Sequence, residues 1–580
     1  RGELLKLARQ CLVAFMTVSV KKKSFRALVT THFLTIINDN LYKFLLAFFL
    51  LEGKTLTENA KILSCVSFFF ALPFLLLAPL AGSLADRFQK RNIILATRFI
   101  EILCTILGTY FFFIQSVVGG YVVLILMACH TTIFGPAKLG ILPEMLPSEQ
   151  LSQANGIMTA ATYTGSILGS CLAPLLVDVT HRLGVNSYVW PTLMCVIVSI
   201  ISTLISFCIR PSNVKNVKQK ITLVSFKDLW KVLKDTRMIH YLTVSIFLGS
   251  FFLLIGAYTQ LEIIPFVEFT LKYPKHYGAY LFPIVALGVG TGSYITGKIS
   301  GKDIKIGYVP LAAIGLALVF MGLYAFACSI LFVLFFLLAL GFLGGVYQVP
   351  LHAYVQYASP EHKRGQILAA NNFLDFFGVL VAAGVIRVLG SNLGLSPETS
   401  FFYIGWFVLA VSIWTLWIWR EHVYRLLLGI ILRRQLGYYL KIHQSSSPKC
   451  YFVAVQSYRE IRRVLAALTK TVRSRVIILD QKLVPGWRAW LLSWCVPTVV
   501  SSVRDNDSEA QDAWAVLQAN HLKTSLKKFP DVSVVCLGLP KNVERFTSIL
   551  QEQGIDLHPI QLVQKEGKKR VIYTLVFPHA

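Results

Sequence analysis

Apolar residues run along this chain in long blocks, and twelve of them reach membrane-crossing length: residues 25–51, 62–85, 92–116, 120–143, 152–178 and 187–210, then 239–265, 276–299, 307–327, 329–355, 365–390 and 399–420. A helix needs ~20 mostly apolar residues to cross the hydrocarbon core, so each block predicts one spanning helix. The longest interruption, residues 211–238, is rich in Lys, contains Pro211 and divides the blocks six and six. Beyond residue 440 no uninterrupted block remains. Apolar β-like runs appear there at Tyr451 to Val455, Val476 to Leu479, Val532 to Leu537 and Val571 to Val576, separated by helical stretches such as Tyr458 to Leu468 and Ala510 to Lys528. Strands alternating with helices predict a small α/β domain.

The expected architecture is an all-α membrane protein of twelve transmembrane helices in two six-helix halves, followed by a small cytoplasmic α/β domain. Its segments are an N-terminal interfacial stretch at 1–24, a first half at 25–210, a cytoplasmic linker at 211–238, a second half at 239–420, an amphipathic linker at 421–449 and the α/β domain at 450–580. Leu4 to Val20 precedes Lys21, Lys22 and Lys23, the wrong polarity for a signal peptide and suited to an interfacial helix.

Composition agrees with the blocks, because 55% hydrophobic and only 15% charged residues exclude an ordinary soluble multidomain protein. The net charge of +27 raises nucleic acid as a partner. The bases, however, concentrate in alternate loops: Arg87, Lys90 and Arg91; Arg210 to Lys234; Lys298 to Lys305; and Lys363 with Arg364. That is the positive-inside pattern, which places both termini in the cytoplasm and makes anionic membrane lipid, not nucleic acid, the partner of the surplus charge. The eleven Cys form no CxxC, and His32, His130 and His352 have no ligand spacing, so neither metal nor cofactor is expected.

Ionisable groups inside spans are costly and call for a partner or a function. Asp39 lies with Asn38 and Asn40 in the first block and Lys138 lies in the fourth, which predicts one shared polar cavity or a structural salt bridge between helices. Arg98 and Glu101, three apart on the third block, are expected to neutralise each other. Glu262 and Asp375 are candidates for an amine or a coupling cation, and Asn155 for a neutral hydrogen-bonding group. A weak repeat relates the halves: Ala154-Asn155-Gly156 answers to Ala370-Asn371-Asn372, and Gly82 to Arg87 answers to Gly297 to Lys302, at one six-span offset.

Gly82-Ser83-Leu84-Ala85-Asp86-Arg87-Phe88-Gln89-Lys90-Arg91 resembles the loop signature of the major facilitator superfamily between the second and third helices. Gly82 permits close helix approach, while Asp86, Arg87, Lys90 and Arg91 are the expected gating latches. A sharper resemblance, over residues 25–420, is to the lysophospholipid transporter family. It is carried by Phe33-Leu34 through Asp39-Asn40, Ala78-Pro79-Leu80-Ala81-Gly82 through Asp86, Gly135-Pro136-Ala137-Lys138-Leu139-Gly140-Ile141-Leu142, Gln153-Ala154-Asn155-Gly156 and Gly344 to Leu351. The family implies movement of lysophospholipids, chiefly lysophosphatidylethanolamine, to the inner leaflet of a bacterial inner membrane for reacylation. A zwitterionic headgroup needs a cation for its phosphate and an anion for its amine. Lys138 and Asp39 supply them, with Asn40 and Asn155 as neutral contacts. The seventh span of that family tends to carry an Arg; here Gly249 to Gly256 holds no base, which withdraws a second phosphate contact.

In some bacteria this family is fused to a glycerolipid acyltransferase, and residues 450–562 loosely resemble that domain in degenerate form. Phe452 to Ser457 would stand at its catalytic turn, but Gln456 replaces the His and no Asp follows at the required spacing, so the usual base is missing. The expected protein is therefore not an enzyme, and a separate acyltransferase or an acyl carrier protein system is its expected partner. An unrelated α/β regulatory or docking domain explains the tail equally well. For the whole chain, the competing readings are a proton-coupled carrier of a water-soluble solute, with Asp39 or Asp375 as proton site, and a bifunctional transporter-acyltransferase.

Overall fold

A computed structural model describes residues 23–51, 56–182, 188–211, 226–237, 239, 241–273, 276–300, 304–327, 329–420, 422–424 and 426–427, together with six strands between 450 and 576. The expected interfacial stretch, most of the amphipathic linker, Gln456 and the tail's expected helices lie outside these residues. Two compact units are present, Arg1–Ile304 with Ala312–Ser412, and Lys305–Leu311 with Ile413–Ala580.

The first unit is helical throughout its described residues. In chain order the helices are α1 (Lys23–Leu51), α2 (Leu56–Leu76), α3 (Ala78–Arg87), α4 (Lys90–Phe113), α5 (Val117–Gly140), the short α6 (Leu142–Met145), α7 (Leu151–Arg182), α8 (Val189–Ser206), α9 (Phe226–Thr236), α10 (Leu242–Pro265), α11 (His276–Ser300), α12 (Tyr308–Ala325), α13 (Ile330–Ala358), α14 (Arg364–Ile386) and α15 (Pro397–Ile418). Among the described residues ten helical stretches are long and apolar enough to cross a membrane, eleven when one bent pair is taken as a single span. That pair is the end of α2 with α3, which the sequence predicts as one straight span and which bends by 50° at Leu77. The cause is Pro79 in the first turn of α3, which has no N–H to continue the ladder from α2.

Apolar surface gains nothing by leaving lipid for another helix, so these helices hold together by close contact and by polar pairs. A Cβ added at Gly156 would stand 2.5 Å from the Ser293 carbonyl oxygen, and one at Gly82 would stand 2.8 Å from both Ala369 Cβ and Gln366 Cα. These glycines bring α7 onto α11 and α3 onto α14. One apolar cluster joins Phe25 and Leu28 of α1, Ala85 of α3, Ile94 of α4, Phe134 and Ala137 of α5, and Ala154, Ile157 and Ala161 of α7. The linker also contributes structure: Val232 and Leu233 of α9 are buried in a cluster with Ala78, Leu242, Ile246, Val355, Ile367 and Leu368.

In the second unit the strands are β1 (Cys450–Ala454), β2 (Ser474–Ile478), β3 (Thr498–Val500), β4 (Ser533–Gly538), β5 (Leu557–Gly567) and β6 (Arg570–Val576). They form one sheet in the order β3-β2-β4-β1-β5-β6, parallel except for the β5–β6 hairpin. Two strands, β3 and β5, have no counterpart in the sequence reading. The short β3 gives too few residues to show alternation, and β5 is broken by Pro559 and by its charged end.

Candidate functional site

The polar core begins with a matched pair of helix faces. On α1, His32 and Asp39 lie seven residues apart, two turns on one face; on α5, Thr131 and Lys138 repeat that spacing. The helices run antiparallel, so His32 meets Lys138 and Asp39 meets Thr131. Lys138 Nζ lies 3.4 Å from His32 Nδ1, and Thr131 Oγ1 donates to Asp39 Oδ2 at 2.9 Å. Further along, the Tyr42 hydroxyl donates to the Gly120 carbonyl at 3.3 Å, in the same antiparallel sense. The second ring nitrogen of His32 lies 2.7 Å from Thr162 Oγ1 on α7.

Between these two levels α4 inserts an ion pair. Arg98 and Glu101 are both fully buried and joined to each other, as their three-residue spacing predicts. Arg98 also donates to Thr35 Oγ1, and Glu101 Oε1 accepts from Asn38 Nδ2 at 3.1 Å. The Arg98 guanidinium sits 4.4 Å from the centre of the Phe134 ring, and Lys138 Nζ lies 5.4 Å from the same ring. An ammonium and a guanidinium thus share one aromatic partner, which offsets part of their desolvation without supplying negative charge.

Asp39 and Lys138 form no ion pair with each other among the described residues. Asp39 is only 4% exposed, held by Thr131, with His130 Nε2 at 4.0 Å from Oδ1. Lys138 is half-buried, with a neutral-capable imidazole and an aromatic face around it and, among the described residues, no carboxylate within ion-pair distance. Asn40 points elsewhere, donating to the Ile36 carbonyl at 2.9 Å and to Ser166 Oγ of α7 at 3.3 Å.

Among the C-terminal helices, Asp375 of α14 accepts from Ser250 Oγ of α10 and from Asn371 Nδ2, each at 2.8 Å. Ser250 stands in the stretch where the resemblance leads one to seek an Arg. Glu262 is buried on the same helix α10, but twelve residues beyond Ser250, about 18 Å of helical rise, so the two acids do not share a site.

At the end of the bundle that carries the basic loops, helices from before and after the linker are locked together. Asp86 at the end of α3 accepts from the Gly365 and Gln366 backbone amides at 2.6 and 3.0 Å, capping the first turn of α14 from another helix. Gly365 has to be small: a Cβ there would stand 2.7 Å from Asp86 Oδ1. Asn155 of α7 and Gln356 of α13 exchange two amide hydrogen bonds, each 2.8 Å, both side chains being buried. The other expected latches stay on their own side. Lys90 pairs with Glu144, Arg91 donates to the Phe207 carbonyl at 3.4 Å, and Arg87 lies 5.7 Å from the Phe88 ring. Outside the spans, Lys363 Nζ donates to Asp235 of α9 at 2.9 Å, and that hydrogen bond with its charge holds the Asp235 carboxyl below the usual range.

The sequence reading missed His32, Phe134, Thr131, Ser250 and Gln356. His32 and Thr131 carry a signal, a seven-residue polar repeat on each of two helices. Gln356 carries none.

A family model described as the Major Facilitator Superfamily matches residues 28–383. The lysophospholipid transporter LplT of Cronobacter sakazakii is 24% identical over 412 residues, covering 70% of this chain and 97% of that protein. LplT of Photorhabdus laumondii is 27% identical over 367 residues, covering 61% of this chain and 85% of that protein. Among solved structures, the proton:xylose symporter XylE aligns with a TM-score of 0.54 at 12% identity, over 68% of this chain and 94% of that one. The human organic anion transporter MFSD10 (TETRAN) aligns with a TM-score of 0.53 at 14% identity, over 68% of this chain and 100% of that one. At these identities the structural likeness speaks for the fold alone.

Proposed function

Because this chain belongs to the major facilitator superfamily, a family of multi-pass membrane carriers, we propose that it transports a lysophospholipid between the leaflets of a bacterial inner membrane by alternating access. It is a carrier, not an enzyme. The full count is twelve spans in two six-helix halves, with α11 and the bent α2–α3 pair completing the set, and the sheet domain follows in the cytoplasm. The positive-inside pattern makes the Asp86 end the cytoplasmic end, so the conformation described is closed toward the cytoplasm. The curated relatives of similar sequence are named lysophospholipid transporters, and they are matched over nearly their whole length.

One observation carries the substrate class. Lys138 is a half-buried ammonium inside a spanning helix, oriented by His32 and Phe134, with no carboxylate within ion-pair distance among the described residues. Such a charge is costly until an anion arrives, and a lipid phosphate is that anion. The acyl chain requires only apolar helix surface beside it. Asp86, Gly82, Asn155 and Gln356 then act as the cytoplasmic seam that opens to release lipid inward, for reacylation by a separate acyltransferase or an acyl carrier protein system.

The test is leaflet-resolved transfer of labelled lysophosphatidylethanolamine in vesicles holding the whole chain. The parent transfers, and Lys138→Ala lowers transfer by roughly 30-fold, equivalent to about 2 kcal/mol for a lost charge-assisted contact. Lys138→Arg retains part of it. A well-folded parent that moves no lysolipid would return the chain to the reading of a carrier for water-soluble solutes.

A further inference from the structure

We infer that Asp375 is the residue that recognises a primary amine on the substrate, acting across the α5–α14 seam from Lys138; this rests on the lysophospholipid reading above. Asp375 is half-buried in a spanning helix, and each carboxylate oxygen accepts one hydrogen bond, from Ser250 and from Asn371 at 2.8 Å. Both donors are neutral, so they orient the carboxylate without discharging it. Each oxygen keeps a further lone pair for a ligand. No cation stands within ion-pair distance of Asp375 among the described residues. Asp39 is the poorer amine partner, because it is buried inside the N-terminal helices against Thr131 and His130.

The register of α5 against α14 sets the reach. Gly140 faces Leu368 and Gly135 faces Asn372, whose amide nitrogen would stand 2.7 Å from a Cβ at Gly135. Residue numbers rise on one helix as they fall on the other, so the helices are antiparallel. Lys138 lies three residues beyond Gly135, and Asp375 three beyond Asn372 in the opposite direction, six residues of rise or about 9 Å. A phosphate and an amine joined by a two-carbon bridge lie about 5 Å apart by covalent geometry. With a contact of ~3 Å at each end they cross that rise. The headgroup then ties a helix from before the linker to one from after it, and only a headgroup carrying both charges does so.

Vesicles of the whole chain are given three labelled probes: lysophosphatidylethanolamine, its N-acetylated form and lysophosphatidylglycerol. The parent moves the free-amine probe roughly tenfold faster than the other two, the ratio expected of one charge-assisted hydrogen bond. Asp375→Asn brings the free-amine rate down to the other two and leaves those within about twofold. Asp375→Glu restores the preference, which separates recognition from folding. The inference is overturned if the parent treats the free and acetylated amines alike, or if Asp375→Asn slows all three probes equally. A parent that moves none of the probes overturns the lysophospholipid reading itself, a different failure from loss of headgroup preference.

Discussion

The core of the N-terminal helices and the seam between N- and C-terminal helices are both buried and both polar, yet they use different bonds. The N-terminal helices hold buried ion pairs, Arg98 with Glu101 and Lys90 with Glu144, beside hydrogen bonds from neutral donors. Across the seam the contacts are an amide exchange between Asn155 and Gln356, a carboxylate on backbone amides at Asp86, and glycines against backbone at Gly82, Gly156 and Gly365. The difference follows from what each must survive. Separating a buried ion pair strands two charges, which is prohibitive as a routine step. Amides and helix ends lose little when water replaces the partner, so a seam built from them can part and reform.

The sharpest way to break this contrast is to unpair the core. Glu101→Leu leaves Arg98 buried without its counter-charge and is expected to destabilise the folded protein by about 3–5 kcal/mol, read as a fall in thermal unfolding temperature in detergent. The double variant Arg98→Met with Glu101→Leu recovers most of that loss; a double variant as unstable as the single one would show that Arg98 is not the stranded group. A smaller effect is expected at the seam. Asn155→Leu removes both amide bonds, and Gln356 regains partners from water once the halves part. Thermal stability should change by about 1 kcal/mol. The access equilibrium moves toward the cytoplasm-open state, seen as faster labelling of a cysteine introduced at the buried Ser152, which leaves the amide exchange of the parent intact. Labelling at the parent rate would mean that the amide exchange does not hold the seam. The smallest effect concerns Asp235 and Lys363, exposed at the edge of α9. Because the folded carboxyl lies below its ordinary value, the pair's contribution is complete above the unfolded value and is lost only as pH falls through the folded one. Asp235→Asn should therefore alter stability slightly at neutral pH and not at all in strong acid, measured by unfolding across pH.

Much of this was legible in the chain. Block length locates the helices, and the three-residue spacing of Arg98 and Glu101 identifies a pair that needs no knowledge of neighbours. The glycines at 82 and 297, related by the internal repeat, mark where helices cross. What the sequence does not carry is the relative rotation of separate helices. Depth alone brings Asp39 and Lys138 to one region, yet the antiparallel register sets them two turns apart and gives each a different partner. Asn155 reads as a headgroup contact for the same reason: its face is fixed by Gln356, 201 residues away. The bend at Leu77 was missed because hydropathy averages over Pro79 instead of registering its absent N–H.

The cap on α14 also bears on how the protein is made. Asp86 leaves the ribosome 279 residues before Gly365, so the acceptor already stands in the membrane while its donors have yet to be synthesised. Until they arrive, the Asp86 carboxylate has no helix end to cap. Capping then waits for α14, and an N-terminal fragment released early holds a carboxylate still without its helix.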